Sequence, residues 1–204
     1  MELMRNKQAE MIKNISDEVL IVNVFITQGL VLLVAVILGF FLFDDFSEVT
    51  SLFQWKDWNI LIMGGSVGLG IVIYDLVLMK IVPASYFDDG GINERIFRNL
   101  SYLKIFLVTL TIAVCEEMLF RGVIQQHTNV WIASLIFALV HYRYLFNPFL
   151  FFNVTLLSFL IGLLYEHTAN LYATITAHFI IDFLLGIYIK VKYRKTIKQV
   201  FIRN

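Results

Sequence analysis

An all-α fold, a polytopic membrane bundle of about six transmembrane helices, follows from composition and from the lengths of the apolar runs. Of the 204 residues, 59% are hydrophobic, against roughly 45–50% in soluble domains. Mean hydropathy is +0.76. One soluble core of this size has no room for that much apolar surface, so a bilayer must take most of it. Nineteen Phe and only two Pro fit long apolar helices with few breaks.

Six runs approach the roughly 20 residues that a helix needs to cross a bilayer. They are Leu20–Phe43, Ile60–Val82, Ile105–Gln126, Val130–Phe146, Phe149–Glu166 and Leu171–Ile189. The polar stretch Met1–Glu18 precedes the first run. That run is too long for a signal-peptide core and has no small-x-small site at its end, so it reads as a retained span. The second run contains Gly64, Gly65, Gly68 and Gly70, which predicts close helix packing, and one acid, Asp75. Short connections join the last four runs and predict antiparallel neighbours. The only sizeable polar connector is Asp88–Asn99. There is no internal repeat.

Sixteen basic and 16 acidic residues balance to zero, so total charge carries no information about partners. Their placement does. With six spans, one side of the membrane collects Arg5, Lys7, Lys13, Lys80, Arg95, Arg98, Lys104, Arg143 and the basic residues of the tail, and the other collects Lys56. The positive-inside rule then puts both termini in the cytoplasm. The tail, Lys190–Arg203, has six basic residues and no acid, which reads as an anchor on anionic lipid rather than a nucleic-acid surface. The single cysteine, Cys115, excludes an intrachain disulfide and a CxxC metal site.

Ionisable groups inside a bilayer cost about 2.5–3.5 kcal/mol each on insertion scales, so those present mark function. Glu116, Glu117 and Arg121 lie in the third run, His141 in the fourth, and His178 and Asp182 in the sixth. At about 1.5 Å per residue, Glu116, His141, His178 and Asp182 come to within a few ångströms of one depth, about 12–18 Å into their spans. Glu117 and Arg121 are four residues apart on a helix and pair with each other. Glu116, about 100° round the helix, is left to face another partner. His178 and Asp182 share the same spacing, as do Phe137 and His141. A carboxylate and an imidazole converging on one point hold and deprotonate a water, and a second imidazole donates to the oxyanion of a tetrahedral intermediate. The same groups, Glu116, His141 and His178, also form a two-His, one-Glu set able to bind zinc with an open position. Asp75 has no evident partner.

Three motifs occur in order. Glu116-Glu117-Met118-Leu119-Phe120-Arg121 is an EExxxR pattern, and Phe137-Ala138-Leu139-Val140-His141 is an FxxxH pattern. The third runs from Gly162 through Thr168-Ala169-Asn170-Leu171 to His178-Phe179-Ile180-Ile181-Asp182. Together they resemble the CAAX protease and bacteriocin-processing family (CPBP, also called Abi) over about residues 101–186. The resemblance implies a four-helix catalytic core and an intramembrane endopeptidase. In it Glu116 and His141 activate water, Glu117, Arg121 and Phe137 support the site, and His178 with Asp182 stabilises the oxyanion. The family's last motif usually ends in Asn, where this chain has Asp182. An amide donates a hydrogen bond at any pH, and a carboxyl only when protonated. The implied domains are an N-terminal segment with two spans (1–100), the catalytic membrane core (101–189) and the basic cytoplasmic tail (190–204).

The resulting expectation is hydrolysis of a peptide bond in a membrane-associated or prenylated, CAAX-type protein or peptide. No metal is favoured, zinc stays open, and the partners are lipid and a peptide substrate. Two other classes fit less well. A non-catalytic bacteriocin-immunity or partner-binding protein has no need of Glu116 with both histidines. A small transporter would be expected to show repeated halves.

Overall fold

The computed structural model describes residues 15–203, with side chains through Gln199. The basic residues Arg5, Lys7 and Lys13 and the side chain of Arg203 lie outside the described residues. The fold is all-helical. Helix α1 is Asp17–Leu42, started by the Ser16 side chain, which accepts from the Val19 amide at 3.3 Å. A short helix α2, Phe46–Ser51, follows. A π-helical turn, Ile60–Gly64, opens α3, Gly65–Ile81. A small helix α4, Ile92–Phe97, sits in the polar connector. Helix α5, Tyr102–Glu117, continues as a π-helix over Met118–Gln125. Next come α6, Val130–Val140, α7, Pro148–Thr168, and α8, Leu171–Arg203. Side-chain caps from Ser101, Asn129 and Asn147 start α5, α6 and α7, each satisfying an amide that the first helical turn leaves open.

The protein is a multi-pass membrane protein. Four stretches among the described residues are long and apolar enough to cross a bilayer: Asp17–Leu42, Ile60–Ile81, Pro148–Thr168 and Leu171–Gln199. Their outer surface is greasy, with Phe40 and Phe41 81% and 76% exposed, as lipid contact requires. The other two expected spans differ in kind. The third is the α5–π-helix run, which carries the buried acids and Arg121. The fourth differs from the expected run to Phe146, because α6 has only 11 residues. That is about 16 Å, roughly half the hydrocarbon thickness. It stops because the Nδ1 of His141 meets the Phe137 carbonyl at 2.8 Å and the His141 backbone leaves helical geometry at ψ 47°. A 3₁₀ turn, Tyr142–Tyr144, then meets the polar connector, where Arg143 donates to Asn93 at 3.2 Å.

Helix α8 packs against α3, α5 and α7, and α1 lies along α5 and its π extension. The glycine prediction holds at two of its four positions. A Cβ on Gly64 would stand 2.5 Å from the Ala173 carbonyl oxygen, and one on Gly68 2.9 Å from that of Ala177, whereas Gly65 and Gly70 face open space. Gly64 and Gly68 against Ala173 and Ala177 form a small-xxx-small contact that lets α3 and α8 touch backbone to backbone. Gly68→Leu is therefore expected to force α3 off α8 and to lower the thermal midpoint in detergent by several degrees, with Gly70→Leu harmless. Equal midpoints would contradict this packing.

The tail also departs from the expectation. Helix α8 does not end near Ile189 but runs on as one helix to Arg203. Lys190, expected at the lipid surface, is buried, donates to the Leu100 carbonyl and lies 5.5 Å from the Tyr102 ring centre. At the other end of α8, the fully buried Asn170 donates to the Gln54 carbonyl at 3.0 Å and to Asp57 at 3.2 Å. It also accepts from the amides of Gln54 and Tyr172. These bonds pin the α2–α3 loop to the turn between α7 and α8. The Asn59 amide and the Asn170 side chain together hold the Asp57 carboxyl below its usual range.

Candidate active site

The π-helix begins directly after Glu117, and its wider turns rotate the residues that follow relative to the two acids. Every residue from Leu119 to Val123 is buried. Arg121 is fully enclosed. Its Nε lies 3.4 Å from Glu117 Oε2, its Nη1 donates to Gln125 at 3.1 Å, and its Nη2 donates to the Ser158 carbonyl at 2.8 Å and hydroxyl at 2.6 Å. Gln125 passes the chain on to the Gly162 carbonyl at 2.8 Å. A Cβ at Gly162 would meet Arg121 and Gln125 at 3.0 Å each, so the glycine leaves the room that this network fills. The i,i+4 pairing expected of Glu117 and Arg121 is present.

Glu117 has a second partner that sequence spacing did not reveal. Its Oε1 lies 2.8 Å from His178 Nδ1. A carboxylate only accepts, so this contact puts a proton on Nδ1 and orients the ring. The other ring nitrogen, Nε2, then faces Asp182 Oδ2 at 3.6 Å and Glu116 Oε2 at 3.9 Å. His178 thus joins all three acids, two from α5 and one from its own helix.

His141 approaches across an aromatic wall. The Phe137 ring centre is 4.6 Å from that of His141 and 6.2 Å from that of His178, with Phe120 packed edge-on behind it at 4.8 Å. The Arg121 guanidinium lies 5.8 Å from the same ring centre. Because the Phe137 carbonyl can only accept, His141 carries its proton on Nδ1, and Nε2 is left with a lone pair. Glu116 and His141 lie within electrostatic reach of one another. Glu116, Glu117 and His178 are buried, His141 is part-buried, and the Asp182 side chain is 30% exposed. The cluster therefore opens on its His141 and Asp182 side.

Asp75 shares no hydrogen bond with this cluster but lies within electrostatic reach of Asp182. It lines a cavity of about 500 Å³ between α3 and α7, walled by Ile71, Leu157 and Leu160, whose lining does not include Glu116, His141 or His178.

Among the described residues, no three His, Cys, Asp or Glu side chains form a group that could hold a metal ion. Within the expected zinc set, Glu117 orients His178 through Nδ1 and leaves Nε2 toward Glu116 and Asp182, an orientation that a metal-binding histidine shares.

Three polar residues of the site went unnoticed in the sequence, Gln125 beside Arg121 being one. Gln28 of α1 donates to Glu116 Oε1 at 2.8 Å, and Ser158 of α7 receives Arg121. For Gln28 the signal was available, since it is one of two amides, with Asn23, in a largely apolar run. Ser158 is indistinguishable from the hydroxyls that helices commonly satisfy internally.

The family model for type II CAAX prenyl endopeptidase Rce1-like proteins matches residues 98–184. An uncharacterized protein, YpbD, of Bacillus subtilis (strain 168) is 45% identical over 167 residues, covering 82% of this chain and 88% of that protein. No solved structure matches.

Proposed function

This chain belongs to the Rce1-like family of type II CAAX prenyl endopeptidases, and on that premise we propose that it is an intramembrane endopeptidase. It hydrolyses a peptide bond in a membrane-associated or prenylated, CAAX-type protein or peptide, with both termini and the open side of the cluster facing the cytoplasm. The observation that carries this reading is the placement of His178, locked by Glu117 through Nδ1 and pointing Nε2 at Glu116 and Asp182.

In the proposed reaction, a water held between Glu116 and the free Nε2 of His141 attacks the scissile carbonyl carbon, and Glu116 takes one of its protons. The carbonyl oxygen becomes an oxyanion facing His178. With Nδ1–H given to Glu117 and Nε2 among acids, His178 carries both ring protons and donates Nε2–H to that oxyanion. Asp182 keeps this imidazolium in place. Collapse of the intermediate breaks the C–N bond, and the proton on Glu116 passes to the departing amine. Arg121 and Phe137 fix the acids and the imidazoles so that little rearrangement is needed during the reaction. No step requires a metal.

The test is cleavage of membrane-tethered and farnesylated reporter peptides by the purified protein. Cutting is expected for at least one reporter. His141→Ala is expected to slow it by roughly 10²–10⁴-fold, the range for loss of a general-base partner. Turnover of His141→Ala at the wild-type rate would overturn the proposed water site.

A further inference from the structure

The contact between Gln28 and Glu116 reaches outside the four-helix core, into a helix to which no chemistry has been assigned. Helix α1 has mean hydropathy 2.6, and Gln28 is one of its three buried residues, with Leu20 and Ala35. An amide in such a helix is costly unless both its ends find partners. One end has. Nε2 donates to Glu116 Oε1 at 2.8 Å, and because a carboxylate cannot donate, this fixes which end of the amide faces the acid. The other end has not. Gln28 is 6% exposed, and its Oε1 is buried without a hydrogen-bond partner. A buried carbonyl oxygen left without a donor is costly, so it marks a place where a donor belongs.

We propose that Gln28 is a positioning residue for the hydrolytic water. Resting on the proteolytic reading above, the inference gives its two ends separate tasks. Nε2 holds Glu116 by Oε1, which leaves Oε2, the oxygen nearer His178, as the one that takes the proton. Oε1 shares with His141 Nε2 the second hydrogen of the attacking water, the one that Glu116 does not remove. The water is thereby held by acceptors from three helices, and its lone pair is aimed at the carbonyl carbon. Bond making and breaking are unchanged: one water proton goes to Glu116 and on to the leaving amine. The other stays on the new carboxyl group until that group ionises.

A purely structural role, α1 tied to α5, predicts different results. Gln28→Leu keeps the volume and removes both hydrogen bonds. It is expected to lower kcat on a farnesylated reporter about 10- to 100-fold with KM little changed and thermal midpoint within a few degrees of wild type. Gln28→Glu should restore much of that rate in mildly acidic buffer, where the new side chain is protonated, still donates to Glu116 and still offers a carbonyl oxygen. Its rate should fall as pH rises and both carboxyls ionise. Glu116→Gln separates the two levels of inference. If it stays active, Glu116 is not the general base and Gln28 has no base to position; if wild type itself cuts no reporter, it is the proteolytic reading that fails. If it is inactive while Gln28→Leu keeps wild-type kcat, only the role of Gln28 is wrong. A measurement that needs no substrate is labelling of Glu116 by dicyclohexylcarbodiimide, read by mass spectrometry. That reagent attacks protonated carboxyls, so labelling at pH 7 should be several-fold faster in Gln28→Leu. Equal labelling rates, or a loss seen only in thermal midpoint, would overturn the proposal.

Discussion

Replacing Glu116 by Gln is expected to abolish hydrolysis while leaving the fold intact. The substitution is isosteric, and the carbonyl oxygen of the introduced amide still accepts the bond from Gln28 that Glu116 Oε1 receives at 2.8 Å. The group lost is the carboxylate oxygen facing His178 Nε2 at 3.9 Å, the one that the proposed reaction uses to take a proton from water. Glu117 is not a substitute. Its oxygens are committed to His178 and to the Arg121 ion pair, and it is fully enclosed. The expected loss is about 10³-fold, within the range typical for removal of a general base. Purified Glu116→Gln should unfold within a few degrees of wild type, so the two readings, rate and thermal midpoint, separate chemistry from folding.

Arg121→Met is expected to act in the opposite way, through stability first. Arg121 and Glu117 are both at 0% side-chain exposure, and the guanidinium fork also holds Gln125 and Ser158. Removing the guanidinium leaves Glu117 with His178 as its one charged partner and its Oε2 without any, a loss toward the roughly 3–5 kcal/mol that breaking a buried pair costs. Lysine is no replacement, because a single ammonium cannot reproduce a fork whose arms end on α7 and on its own helix. A second substitution tests the reason. Glu117→Gln added to Arg121→Met removes the stranded charge and should recover much of the midpoint in detergent. It should not recover activity, because a neutral amide holds the charged form of His178 less well than a carboxylate. An Arg121→Met protein as stable as wild type would show that the pair contributes nothing to the bundle.

The sequence told most about features that depend on one helix at a time. Hydropathy located α1, α3, α7 and α8, and i,i+4 spacing found the Glu117–Arg121 and His178–Asp182 pairs. Contacts between helices were less accessible. Nothing in the spacing of Glu116-Glu117 says which acid meets His178 more closely, because that depends on the roll of α5 against α8 and on the π-helix that follows. The early end of α6 was hidden for another reason. No Gly or Pro stands at 141, and the apolar run reads on past it, while the break comes from the His141 side chain reaching the Phe137 carbonyl. Gln28 escaped because the motifs lie after residue 100, and nothing in the sequence of α1 says that this amide meets Glu116. For Lys190, charge alone predicted a lipid headgroup partner, whereas the observed one is the Leu100 carbonyl.

The central claim is that Glu116 activates water for peptide hydrolysis without a bound metal. It is tested most directly by the rate of reporter cleavage for wild type and Glu116→Gln, purified side by side and each assayed with and without a strong chelator. The expected result is a wild-type rate unchanged by the chelator and a Glu116→Gln rate lower by about 10³-fold. A wild-type rate that collapses with chelator and returns with zinc, or a Glu116→Gln protein that still turns over, would contradict it.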